Sequence, residues 1–122
     1  MKTIIYNFFL WIFFCPVMLF AQPIPVDSMY FGQTPPESIP KIFAPGIVSF
    51  PNVTENVITF SPKGDELFLD TGIYPNRTIL HKEYIDNKWS ILAIASFSFN
   101  KNLWEPYISI DGTRVYYSNS QV

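Results

Sequence analysis

Phe60 to Asp70 reads FSPKGDELFLD, and Ile108 to Ser118 reads ISIDGTRVYYS. The two stretches share one plan, displaced by 48 residues from Gly64 to Gly112. No other feature limits the fold as much, because a segment written twice implies a structural unit built twice. In the first copy Val57-Ile58-Thr59-Phe60 runs into the turn Ser61-Pro62-Lys63-Gly64. Proline at the second position presets φ near about −65°, and glycine accepts the positive φ that lets an antiparallel strand resume. The return strand, Glu66 to Asp70, points Leu67 and Leu69 to one face and Phe68 to the other. In the second copy Ile108, Ser109 and Ile110 enter, Asp111-Gly112 turns, and Arg114 to Ser118 leaves with Val115 and Tyr117 opposite Tyr116. A strand apolar on both faces requires cover on both.

Between the copies the pattern predicts a second hairpin. Thr78 to Ile85 reads as a strand, Asp86-Asn87-Lys88 as a turn with Asn87 suited to a left-handed position, and Trp89 to Phe97 as a further strand. Two hairpins per period make four strands in 48 residues, which fits one blade of a β-propeller, whose repeats run to about 40 to 50 residues. Ahead of them, Gln22 to Pro51 holds Pro23, Pro25, Pro35, Pro36, Pro40, Pro45 and Pro51. Each proline removes a backbone donor and restricts its predecessor, so a helix or central strand is not expected here. Met29, Tyr30, Phe31, Ile42 and Phe43 give this stretch the anchors of a packed edge segment rather than of a free linker.

Of the 122 residues 48% are hydrophobic, but a good part of them sits in the first twenty. MKTIIYNFFLWIFFCPVMLFAQ has Lys2, an apolar run from Thr3 to Phe20, and Ala21 before a polar Gln22, the three parts of a secretory signal peptide. Cleavage is expected after Ala21, leading to the periplasm or the exterior, with the membrane touched only during export. The rival is a retained anchor; Asn7 and Pro16 interrupt it and no basic cluster follows. A lipoprotein at Cys15 is disfavoured by the bulky Phe14 before it. The expected fold class is therefore all-β: a partial β-propeller of about one and a half four-stranded antiparallel blades after a signal-peptide helix and an extended arm. The boundaries are 1–21 for the leader, 22–52 for the arm and 53–122 for the incomplete propeller, with blades near 55–102 and 103–122. A ring needs about four to eight blades, so the chain is expected to be a piece of a longer protein, with exposed apolar faces and marginal solubility on its own.

Without Lys2 the mature chain has seven basic and ten acidic residues, no basic stripe for a phosphate backbone, and no cysteine. Nucleic acid is therefore not an expected partner, and neither a disulfide nor a thiol nucleophile is available. His81, the only histidine, sits in a predicted strand with no second His, no Cys and no close acidic pair and reads as structural. There is no Gly-x-Ser-x-Gly elbow, and Asp65, Asp70, Asp86 and Asp111 read as turn or strand-end residues without calcium-loop spacing. Glu55 and Glu105 precede the two copies at slightly different offsets; a ring of acids lining a channel is one reading, and carboxylates accepting backbone hydrogen bonds is the preferred one. Trp89, Trp104, Tyr107, Tyr116 and Tyr117 suit packing between blades, with Trp104 expected in a partly exposed loop from Asn100 to Glu105. Asn52-Val53-Thr54 and Asn76-Arg77-Thr78 match the glycosylation pattern, which is short and frequent and carries little weight by itself. No catalytic, metal-binding or cofactor-binding residue is assigned.

The residues resemble WD40-like, TolB-like six-bladed β-propeller repeat proteins of Bacteroidetes-type bacteria, in their N-terminal part. The family phrase F-S-P-D-G-K-x-L-Y-F is approached by Phe60-Ser61-Pro62-Lys63-Gly64 with Leu67-Phe68-Leu69, with Lys63 where Asp is usual. The second copy keeps Ser109, Asp111 and Gly112 but has Ile110 where Pro is usual, and carries Tyr116 in its return strand. G-K-W-S is similar to Asn87-Lys88-Trp89-Ser90, and E-P to Glu105-Pro106. Tyr30 through Pro36 and Phe43 through Ile47 resemble Y-L-G-Q-T-P-P and F-A-P-G-I. What the resemblance implies is a non-enzymatic envelope scaffold, contacting envelope proteins or a small glycan or peptide. The alternative is the front of a propeller enzyme, a glycan hydrolase or lyase or the gating propeller of a serine peptidase, with its catalytic residues elsewhere.

Overall fold

The computed structural model describes residues 24–119, and these form an all-β arrangement. The strands are β1 (Glu55–Phe60), β2 (Glu66–Ile73), β3 (Asn76–Ile85), β4 (Lys88–Trp89), β5 (Ala93–Ile94), β6 (Leu103–Ile108) and β7 (Val115–Asn119). Strands β1 to β4 make an antiparallel meander, β5 also pairs with β3, and β6 and β7 form a separate two-stranded sheet. The leader expectation falls outside the described residues. Among those described, no helix is long and apolar enough to cross a membrane.

The two echoing segments adopt one shape. Phe60 faces Leu67 and Thr59 faces Phe68 in the first hairpin; Ile108 faces Val115 and Tyr107 faces Tyr116 in the second, each pair displaced by the same 48 residues. Both hairpins slip register by one residue further along, so that Glu55 faces Thr71 and Leu103 faces Asn119, again 48 apart. A β-bulge inserts one residue into one strand and sharpens its twist, so the copies share their curvature as well as their pairing.

The turns repeat bond for bond. Ser61 N–H donates to Glu66 O at 2.8 Å and Gly64 N–H to Ser61 O at 2.8 Å; Ser109 N–H donates to Arg114 O at 2.9 Å and Gly112 N–H to Ser109 O at 2.8 Å. Gly64 and Gly112 adopt φ of +73° and +70°, the left-handed region that glycine enters without penalty. The tips lie side by side, since a Cβ on Gly112 would sit 3.4 Å from Pro62 Cδ.

β2 is covered on both faces, as its composition demands. Leu67 and Leu69 pack with Ala44 and Val48 from the proline-rich stretch, flanked by Phe31, Phe43, Leu80 and Leu92. Phe68, on the other face, packs with Ile79, Ala95, Leu103 and Ile108, flanked by Phe97 and Val115. Three layers result: residues 31–48, the larger sheet, and the β6–β7 hairpin. The first layer has no ladder strand, only a bridge between Pro45 and Ser49 and a 3-10 turn at Met29–Gly32. Gln33 ties its two halves together, its Nε2 donating to Ile42 O at 2.7 Å and its Oε1 accepting from Ala44 N–H at 2.5 Å.

Two expectations are corrected here. Trp89 to Phe97 is not one strand. Tyr84 faces Trp89 while Leu80 faces Ile94, four residues back on β3 against five forward on its partner. The extra residue sits where Ser90 substitutes its hydroxyl for a ladder carbonyl, accepting Glu83 N–H at 3.1 Å; serine side chains compete with the ladder in this way. After β5 the chain leaves the sheet, and Ser98 Oγ accepts Ile79 N–H at 2.9 Å as the chain makes a 3-10 turn at Ser96–Ser98. Trp104, expected in a loop, belongs to β6 and is half-buried.

Candidate functional site

The densest polar construction lies where the large sheet meets β6. Asp70 is fully buried in β2, and Arg77, which faces Gly72 near the start of β3, reaches along the ladder to grip both of its oxygens: Nε donates to Oδ1 at 3.1 Å and Nη2 donates to Oδ2. The same Oδ2 accepts the Glu105 N–H at 3.1 Å, and Asn102 Oδ1 accepts the Arg77 N–H at 3.0 Å. The guanidinium carbon stands 5.7 Å from the centre of the Trp104 ring. One carboxylate therefore holds two strands of one sheet and a strand of the next. Burying such a charge is tolerable only with this many partners, and among the described residues no buried side-chain nitrogen or oxygen lacks one.

The motif serines act at the turns. Ser61 Oγ donates to Asp65 Oδ1 at 2.6 Å and accepts the N–H groups of Asp65 and Glu66 at 3.1 Å each. Ser109 Oγ donates to Asp111 Oδ1 at 2.5 Å and accepts Arg114 N–H at 3.0 Å. The acid has moved from four residues after the serine to two, yet the hydroxyl does the same work. Asp111 also accepts the N–H and hydroxyl of Thr113 at 3.0 and 2.9 Å. The hydrogen bond from Ser109, followed by those from Thr113, holds its carboxyl below the ordinary aspartate value.

Trp89 fastens the N-terminal layer. Its ring lies 4.6 Å from that of Phe31 and 5.6 Å from that of Tyr84, and its Nε1 donates to Ser28 O at 3.1 Å; it does not pack between the two sheets. Nearby Lys82, almost buried, donates to Ser90 O and sits 5.9 Å from the Phe31 ring centre. Burial lowers its pKa from the usual lysine value.

Three placements depart from the sequence reading. Glu55 and Glu105 do not correspond: the 48-residue register aligns Glu55 with Leu103 and Val57 with Glu105. Both lie inside strands, Glu55 accepting Phe50 N–H at 2.8 Å and Glu105 accepting the Ser118 hydroxyl at 3.1 Å. His81 does have an acid beside it, Glu66 Oε1 at 2.8 Å from Nε2, with the imidazole stacked on Phe68 at 4.5 Å. The partners are 15 residues apart and meet only through the β2–β3 register, in which Phe68 faces His81 and Glu66 faces Glu83. Asp70, expected as a turn or strand-end residue, lies inside β2, which runs on to Ile73, and its buried carboxylate is the centre of the clasp. Pro106 is buried in β6 behind the bulge. Among the described residues no three His, Cys, Asp or Glu gather as metal ligands.

The far face of the second hairpin stands open. Tyr117 stacks on Phe97 at 5.1 Å with rings 7° apart, and Val115 joins the shared core, so that side faces the large sheet. Tyr107 and Tyr116, opposite each other across the ladder, are 60% and 52% exposed. Their counterparts 48 residues earlier, Thr59 and Phe68, lie on the face that β6 and β7 cover. No family model, curated protein or solved structure matches this chain.

Proposed function

We propose that the chain is part of an exported β-propeller of the bacterial envelope, serving as a non-enzymatic scaffold for protein contacts or a small ligand. The observation that carries this reading is the equivalence of the two hairpins at 48 residues in register, bulge and turn. In a propeller every sheet lies between a predecessor and a successor. Residues 31–48 lie on the side of the large sheet that a predecessor would take, and β6–β7 lie on the side of a successor. The tyrosine face then has the character of an interior surface. The apolar leader ending at Ala21 supports export.

Expression with its own leader in a bacterium with two membranes, followed by fractionation and N-terminal sequencing, tests the export half. The product is expected in the periplasm or medium, beginning at Gln22. A cytoplasmic product beginning at Met1 would overturn it.

A further inference from the structure

Beside the Asp70 clasp, at the end of the large sheet where Tyr74 and Pro75 turn β2 into β3, lies an open groove of about 420 Å³. Its walls carry Asn76, Arg77 and Thr78 from β3 and Ser98, Asn100 and Lys101 from the link to β6. From these side chains we infer that the groove binds an acidic saccharide, a pyranose unit carrying a carboxylate. The inference rests on the ligand-scaffold half of the proposed function, not on export or on the stacking of further sheets.

The floor is already committed. Arg77 is held by Asp70, and the Thr78 and Ser98 hydroxyls lie 3.1 Å apart, sharing a hydrogen bond. The wall groups are not: the side-chain amides of Asn76 and Asn100 and the Lys101 ammonium have no partner among the described residues. An amide both donates and accepts, as a sugar hydroxyl does, so the two uncommitted amides lining one groove offer both kinds of group to hydroxyls. Charge narrows the choice further. Asp70 offsets Arg77, which leaves Lys101 as the one uncompensated ion on the walls and suits a single carboxylate better than a multiply charged phosphate.

Outside the lining, beside Pro75 and Arg77, stand two aromatic rings that would extend the surface met by a ligand. Tyr74, 68% exposed, meets Trp104 edge to face at 6.4 Å, and Trp104 in turn lies against Arg77. Aromatic rings with a polar handle suit a ligand that is apolar on one side and wet on the other, as a pyranose is with its C–H face. The link is held in place before any ligand arrives, Ser98 N–H donating to Ala95 O at 2.8 Å and Lys101 N–H to Ser98 O at 3.1 Å, which lowers the ordering cost of binding.

Isothermal titration of the purified full chain with digalacturonate, cellobiose and inorganic phosphate tests this. Digalacturonate is expected to bind saturably and to shift tryptophan emission, with the other two probes weaker by about tenfold or more. Lys101→Ala is expected to weaken digalacturonate by about tenfold, as loss of a charged hydrogen bond does, and Tyr74→Ala and Asn76→Ala to weaken it as well. All three side chains sit at exposed positions, so the unfolding midpoint should stay in place. No saturable digalacturonate binding, equal affinity for phosphate or cellobiose, or indifference to Lys101→Ala would each overturn the inference. Such a failure leaves the export and stacking readings intact, since those are read by different measurements.

Discussion

Gly72 and Gly64 both have positive φ, but they do so for different reasons. Gly64 closes a turn, and a Cβ there would meet nothing within 4 Å. Gly72 lies inside β2 at φ +103°, and a Cβ would fall 2.3 Å from Asn76 O, a backbone atom that cannot step aside. Gly64→Ala should therefore cost only the left-handed penalty of about 1–2 kcal/mol, whereas Gly72→Ala should cost clearly more; urea titration of the two variants decides the order, and equal losses would contradict it. Asp111 offers a second test at this scale. Its folded pKa is depressed, first by the Ser109 hydroxyl and then by Thr113. Its contribution to stability is therefore present above the ordinary aspartate value and is lost as pH falls through the lower folded one. Carboxyl NMR titration should find Asp111 below the usual value and Ser109→Ala should return it upward; an unshifted Asp111 would remove the turn bond from the account.

Among the elements, β2 carries the structure, with Leu67 and Leu69 facing one layer, Phe68 the other, and Asp70 reaching a third strand. Leu67→Ala should cost about 2–5 kcal/mol. Asp70→Ala should cost about 3–5 kcal/mol, because Arg77 and the Glu105 amide are then left without their acceptor. The added consequence of the second change is specific: hydrogen exchange should accelerate at Glu105 and along β6 in Asp70→Ala but less so in Leu67→Ala, and identical exchange patterns would show that the clasp does not join the sheets. The two-faced character of β2 was legible in Leu67-Phe68-Leu69, and the turns in Pro62, Gly64 and Gly112, because strand alternation and positive φ are local properties. The broken fourth strand was not, since Ser90 and Ser98 act there on Glu83 and Ile79 across the ladder. The His81–Glu66 contact and the Asp70–Glu105 bond depend on register and on sheet stacking, which no short window of residues specifies. Glu55 and Glu105 look alike in the sequence because each stands shortly before its motif, but at five and three residues from Phe60 and Ile108 they are 50 apart, not the strict 48 of the ladder.

For the molecule as a whole, the consequence lies in the order of its layers. Each hairpin presents one face backward and one forward; the return strand of the first, β2, has both covered, and the second has its forward face, Tyr107 and Tyr116, in the open. Stacked repeats gain stability mainly from their contacts with neighbours, so a further repeat on that face should stabilise the second hairpin as β6–β7 stabilise the first. In the register of the repeat, the residue after Asn119 corresponds to Gly72. The direct measurement is equilibrium unfolding of a chain in which a copy of the segment from Gly72 to Asn119 follows Asn119. Covering two half-exposed aromatic rings should add on the order of 2–4 kcal/mol to the stability of the β6–β7 hairpin, with Tyr116 becoming protected from solvent. An unchanged hairpin stability, with the added segment unfolded and Tyr116 still exposed, would contradict the stacked-repeat account.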